Sequence, residues 1–500
     1  MDYSTMLPWT LIVLACIHVI LLVRKRVSSN GKLPPGPIPL PIVGSLLKLG
    51  SKPNESFTEL AKTYGPLMTL KLGSITTIVV SSSIMAKEVL QKNDQSFAGR
   101  VVVAALGGVR FYDSSSIVGS PPTTYWRKIR AICNTQMFTM ARLAANQGLR
   151  RKKVQDLIAH MHEHSLSGRP IDIGQATFTT TLNLIFNTVF SVDLVDPNTD
   201  SVQEFKNLVW EIMKELGRPN LADFFPVLRV IDPQGIRRHT TAYFKKLYAI
   251  FDEMIAQRIL SRSTSSDFPR RNDFLDVLLD QKDDRSFEFG DNDIKPVLAD
   301  IFLAGSDTSS TAVEWAMAEL LRNPDCMAKA RLELMKTIGS GQQVEESDIA
   351  RLPYLQAVVK ETLRLHPPAP LFNRKTITDV EISGFAIPKN TWVTVNVWAI
   401  GRDPNIWKDP SSFLPERFLG SDIDFKGQDF EFIPFGSGRR ICPGLPLAFR
   451  MVHLMLASLL HSFDWKLPNG MMSSDIDMNS KFGITMQLAA PLRAIPTIDG

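Results

Sequence analysis

Between residues 435 and 444 the chain reads Phe-Gly-Ser-Gly-Arg-Arg-Ile-Cys-Pro-Gly, the segment that most restricts how it can fold. Three glycines and a proline within so short a span exclude a regular helix or strand. Glycines at 436, 438 and 444 let the backbone pass close against a flat object. Apolar residues then recur at helical spacing through Leu447 and Leu456, so a helix is predicted to begin just after Cys442. A helix N-terminus favours negative charge, and a thiolate is stabilised there. With no second Cys or His beside it, Cys442 makes a poor zinc site, which takes four ligands. A lone thiolate suits the axial position of a haem iron, where it favours O–O cleavage. The bland reading is a small buried cysteine. The pattern F-x-x-G-x-R-x-C-x-G is too specific for it.

The N-terminus carries a second constraint. Leu7 to Val23 is an apolar run of 17 positions followed by Arg24, Lys25 and Arg26. At about 1.5 Å per residue it spans roughly 25 Å, close to the endoplasmic reticulum bilayer of about 27 Å. A cleaved signal peptide would place its basic residues first, whereas here Met1 and Asp2 lead. The positive-inside rule then leaves the N-terminus in the lumen and the body in the cytosol. Five prolines between 34 and 41 enforce a stiff extended chain. The expected organisation is an anchor with its basic stop at 1–30, a proline-rich hinge at 31–44 that spaces the body from the membrane, and one domain over 45–500.

Charge excludes some functions. Lys and Arg total 56 against 51 acidic residues, with no block of five like charges, so a nucleic-acid partner is not expected. Four cysteines are too few for a disulfide scaffold. The run Arg150-Arg151-Lys152-Lys153 reads either as a docking site for an acidic electron donor or as a solvated helix face.

Helical periodicity covers 204–215, 245–259, 293–322, 352–365 and 445–460, while 67–80 alternates around Gly73-Ser74 as a hairpin. Short strand-like runs return at 391–397 and 482–488. The fold is expected to be mainly α with a smaller β portion. Gly305 inside the long central helix costs about 1 kcal/mol relative to Ala and opens room against a ligand. Thr308 can bond back to a carbonyl one turn earlier. Glu361 and Arg364 share one helix face, and Arg417 can complete a buried network with them.

Taken with the cysteine loop, four further patterns in order resemble a plant microsomal cytochrome P450: Trp126-x-x-x-Arg130, Ala304-Gly305-Ser306-Asp307-Thr308, Glu361-Thr362-Leu363-Arg364 and Pro415-Glu416-Arg417-Phe418. Stretches such as ITTIVVSSSIMAKEVLQK and PNLADFFPVLRVIDPQGIRR resemble the geraniol 8-hydroxylase group of terpenoid hydroxylases. The resemblance implies a single-domain P450 fold behind a transmembrane helix and haem b with Cys442 as axial ligand, flanked by Phe435, Gly438 and Gly444. It also implies propionate contacts from Trp126, Arg130, Arg440, Arg100 and Arg374, and proton supply by Asp307 and Thr308. Electrons would come from NADPH through cytochrome P450 reductase, with O2 as co-substrate. The structural network would be Glu361, Arg364 and Arg417.

By the same analogy the substrate pocket takes Phe111, Ile117, Ile301, Phe302, Ala304, Leu371, Asn373 and Ile484. Its apolar character suits a lipophilic substrate drawn from the membrane, a terpenoid of the geraniol or iridoid type. A diterpenoid, a prenylated phenolic or an alkaloid is the alternative, and a non-catalytic membrane adaptor is the alternative of another class. Two departures bear on the substrate. Phe111 to Thr124 (FYDSSSIVGSPPTT) replaces a more apolar, Trp-containing loop. Asn373 stands where the group carries a proline, and it either caps a turn or bonds an oxygenated substrate.

Overall fold

The computed structural model describes residues 33–193, 200–264, 271–283 and 289–498. The expected anchor and the first two residues of the expected hinge lie outside the described residues.

Alternation over 67–80 produces the antiparallel strands β1 (Leu67–Leu72) and β2 (Ile75–Val80). The turn between them needs Gly73, whose φ of 57° is left-handed. β3 (Leu371–Lys375) and β4 (Trp392–Asn396) complete a sheet of order β1-β2-β4-β3, with β2 and β4 parallel. The proline segment is extended, as its composition requires, and it is pinned to β1. Thr69 donates its backbone N–H to Pro35 and its hydroxyl to Pro34, each at 2.8 Å. A Cβ on Gly36 would fall 1.9 Å from the Thr69 carbonyl oxygen, so only glycine allows that approach.

The helices that frame the site are α1 (Thr124–Gln136), α2 (Ile173–Phe190), α3 (Asp291–Arg322), α4 (Pro353–Leu365) and α5 (Leu445–Ser462). The periodic segments at 204–215 and 245–259 lie within Asp200–Gly217 and Ile236–Thr264. The run at 482–488 forms less strand than expected: β5 (Ser480–Lys481) and β6 (Gln487–Leu488) are each two residues long around an open turn. α3 runs through the centre, packed along α2 and crossed by α4 and α5. Ser306 and Ser310 return their hydroxyls to the carbonyls of Phe302 and Ser306, so a helix with polar side chains can be buried. Among the described residues α5 is the one helix long and apolar enough to cross a membrane. More than half of it is buried in the core, which explains its composition without a bilayer.

Glu361 and Arg364 form a bidentate pair at 2.7 Å with both side chains fully buried. Arg417 adds Nε to Glu361 at 2.9 Å, and Arg364 donates to the carbonyls of Gly401, Pro410 and Ser412. One carboxylate thereby ties α4 to the irregular chain ahead of the cysteine loop. Half of the basic run is buried, so it is not a plain solvated face. Arg150 is buried against Glu346 and the Leu143 carbonyl, and Lys153 is buried against Asp193 at 2.6 Å. Arg151 pairs with Glu345. Arg151 and Lys152, on the other face of the helix Gln147–Ser167, reach water.

Candidate active site

A cavity of about 380 Å³ is shared by one face of α3 and the cysteine loop. From α3 come Ile301, Ala304, Gly305, Thr308 and Ala312, at spacings of three and four. From the loop come Phe435, Gly436, Cys442, Pro443 and Gly444. Cys442 donates its backbone N–H to the Phe435 carbonyl at 3.0 Å, which closes the loop. Its sulfur accepts from the backbone N–H groups of Gly444 and Leu445 at the start of α5. Burial still pushes the thiol up, against those donors and the nearby Arg130.

Arg100, Arg130, Arg374 and Arg440 all line the same cavity. Among the described residues none has an ion-pair partner, and Arg100 Nε has no hydrogen-bond partner at all. Burial lowers the proton affinity of all four. Repulsion from neighbouring arginines adds to it at three: Arg100 falls to about 10, Arg440 to about 9, and Arg374 is held well below its ordinary value. Four desolvated cations around one cavity form a receptor for a dianion. Arg440 is oriented by the carbonyls of Ala98, Ile117 and Ser120 and stacks on Trp126 at 3.9 Å.

A family model described as Cytochrome P450 matches residues 34–490. The chain belongs to the cytochrome P450 family. Over 99% of its length it is 50% identical to geraniol 8-hydroxylase of Catharanthus roseus, covering all of that protein. It is 49% identical to drimenol monooxygenase of Persicaria hydropiper, with 97% of each chain covered. It is 45% identical to ferruginol synthase of Isodon rubescens, over 97% of this chain and 99% of that one. As a P450 it is a haem-thiolate monooxygenase fed with electrons by a reductase. The cavity fits that cofactor: one thiol at a helix start for the iron, and guanidinium groups without counter-ions among the described residues for two carboxylates. Bound haem supplies the reductive cleavage of dioxygen, one atom of which goes to the substrate.

Several residues expected at the P450 site sit elsewhere. Trp126 does not line the cavity. Its indole donates to the Ile117 carbonyl at 3.0 Å and braces Arg440. Gly438 serves packing, since at φ 68° its Cβ would meet the Leu90 carbonyl oxygen at 2.0 Å. Gly305 lines the cavity, and a Cβ there would stand 2.6 Å from Ile185 Cδ1, the movable end of a side chain on α2. Asp307 is turned from the cavity into the β5–β6 turn, where it accepts from Thr485 and from Gln487 at 2.8 Å. Burial raises its proton affinity there. Its neighbour Thr308 does face the cavity and donates to the Ala304 carbonyl at 2.7 Å.

Of the expected pocket residues Ile117, Ile301 and Ala304 line the cavity, and five do not. Phe302 lies about 100° around α3 from Ile301. It is fully buried among Phe186, Phe190, Phe205 and Phe251, with ring centroids 5.4–5.9 Å apart. On β3 the two-residue period puts Phe372 and Arg374 at the cavity and turns Leu371 and Asn373 away. Leu371 packs beside the sheet against the cluster of Phe57 and Leu70. Asn373 accepts from the Thr394 hydroxyl at 2.8 Å across the strand pair, so it lies in a strand rather than capping a turn. Phe111 and Ile484 are exposed.

Asp300 lines the cavity and was not expected there. A charged residue inside the run Val297 to Phe302, seven positions before Asp307, was the available signal. Ile185 and Thr188 of α2 also line it, and no local pattern marks them.

Proposed function

We propose that this P450 is a membrane-anchored hydroxylase of a neutral terpenoid, using NADPH through a reductase at the endoplasmic reticulum, with its catalytic domain in the cytosol. The observation that carries the reading is the apolar part of the cavity wall. It is formed by Ile117, Val118, Ile185, Ile301, Ala304 and Phe372, with Thr188 and Thr308 as small polar groups. Such a wall takes a lipophilic body and offers few fixed polar contacts, which suits a hydrocarbon skeleton bearing a hydroxyl. Relatives named for geraniol, drimenol and ferruginol support the terpenoid class. A geraniol- or iridoid-type monoterpenoid is the finer reading.

In this scheme Cys442 holds the iron, and Arg100, Arg130, Arg374 and Arg440 hold the propionates. The Thr308 hydroxyl carries protons at the cavity. Asp307 restocks it from the β5–β6 side, and its bonds to Thr485 and Gln487 keep the acid out of the substrate's space. Exposed apolar side chains support a membrane face. Ile38, Ile42 and Leu47 project from the N-terminal segment, and Val227, Val230 and Ile231 from a segment docked to the same hairpin through Ser74 and Phe224. The test is a microsomal assay with reductase and NADPH against acyclic, bicyclic and tricyclic terpenoids and simple phenolics, with products identified by mass. NADPH-dependent hydroxylation of a terpenoid is expected. Turnover confined to the phenolics would refute the assignment.

A further inference from the structure

The loop Phe111 to Thr124, one of the two departures from the resembling group, is the one that reaches Asp300. Asp300 is buried, and its two oxygens are taken up by a single short stretch of chain. Oδ1 accepts from the Tyr112 hydroxyl at 2.5 Å. Oδ2 accepts from the Ser116 hydroxyl at 2.8 Å and from the Val118 backbone N–H at 3.0 Å. Two turns earlier on α3, Asp293 accepts from Ser115 at 2.5 Å. The far edge of the same loop is held by the cofactor side of the cavity: the Ile117 carbonyl accepts from Trp126 and Arg440, and the Ser120 carbonyl accepts from Arg440 at 2.6 Å. Ile117 and Val118, which line the cavity, are therefore gripped by N–H on one side and by C=O on the other.

We propose that Asp300, acting through Tyr112 and Ser116, is the positioning residue that sets the Ile117–Val118 wall and thereby decides how wide a ligand the cavity admits. This rests on reading the cavity as the substrate site. The polar residues of FYDSSSIVGSPPTT are explained by it. A buried carboxylate needs donors, and an apolar loop would leave Asp300 without hydroxyl partners. With its oxygens occupied by the protein, Asp300 is not a free anchor for a cationic ligand, in keeping with a neutral substrate.

The test uses the full-length, haem-loaded protein in detergent and the variants Tyr112→Phe and Ser116→Ala, each of which removes one oxygen atom and little volume. Amide hydrogen exchange over residues 112–120 reads the clamp directly. Spectral titration with two neutral azoles, a slim N-alkylimidazole and a wide triaryl azole, reads the wall without reference to the natural substrate. Losing one hydrogen bond to a buried charge should raise exchange at Val118 and its neighbours on the order of tenfold. The affinity ratio should shift toward the wide azole by a similar factor. General loosening would weaken both azoles alike. Unchanged exchange in both variants would overturn the clamp, and raised exchange with an unchanged azole ratio would overturn its role in selection. Neither result depends on whether the substrate is a terpenoid.

Discussion

Replacing Glu361 with Gln perturbs the fold at one atom. The Glu361 carboxylate accepts four hydrogen bonds: two from Arg364 at 2.7 Å, one from Arg417 at 2.9 Å and one from the Leu414 backbone at 2.8 Å. A glutamine oxygen can keep the site shared by Arg364, Arg417 and Leu414. Its NH2 group must then face Arg364 Nε, donor against donor. Two cations lose their counter-charge, and Arg364 has no route to water. Breaking a buried ion pair from one side costs about 3–5 kcal/mol, a large share of the roughly 5–15 kcal/mol that holds a typical domain. Urea unfolding of the haem-loaded protein, followed by haem absorbance and far-ultraviolet dichroism together, should show that loss. Haem should be released with the fold, because the network supports the chain leading to Cys442. The double variant Glu361→Leu, Arg364→Met removes both buried charges and should be less destabilised than the sum of its single variants, by about 2 kcal/mol. A Glu361→Gln protein within about 1 kcal/mol of the parent would refute the reasoning.

Thr308→Ala should retain haem and ligand-induced spectral shifts while peroxide rises as product falls, since the hydroxyl facing the cavity is lost and the wall is not; unchanged coupling of NADPH to product would remove Thr308 from proton supply. Glu314, buried on α3 with one oxygen accepting from Leu492 N–H at 3.1 Å, is raised by burial from 4.5 to about 7. With the folded value above the unfolded one, its contribution to stability is fully present below pH 4.5 and is lost as pH rises through about 7. The span corresponds to roughly 3 kcal/mol. Glu314→Gln should flatten the fall in stability over that window, as read by urea midpoints at several pH values. A parallel pH profile in parent and variant would contradict it.

Much of the fold is legible in the chain because it is local. The cysteine loop, the hairpin at Gly73 and the long helices each follow from spacing and residue type within a few turns. Ile301, Ala304 and Thr308 share a face by period alone. What escapes depends on partners far away in sequence. Asp307 sits beside Thr308 in every local reading, yet its direction is decided by Thr485, 178 residues away. Gly305 meets Ile185 of another helix, and Gly438 is required by a carbonyl of Leu90. The basic run reads as a surface feature because the acids that bury it, Glu346 and Asp193, come from other elements. Asn373 escapes through strand register, since a shift of one residue exchanges the two faces of β3.

Haem ligation by the Cys442 thiolate is what the proposed monooxygenase chemistry depends on. Its most direct test is the carbon-monoxide difference spectrum of the dithionite-reduced full-length protein, recorded beside Cys442→Ser. The parent should show the strongly red-shifted Soret band of thiolate-ligated haem. In the variant that band should be gone, even where haem remains, because a serine oxygen is a poorly ionised ligand. A parent lacking the band, or a serine variant keeping it, would contradict the assignment.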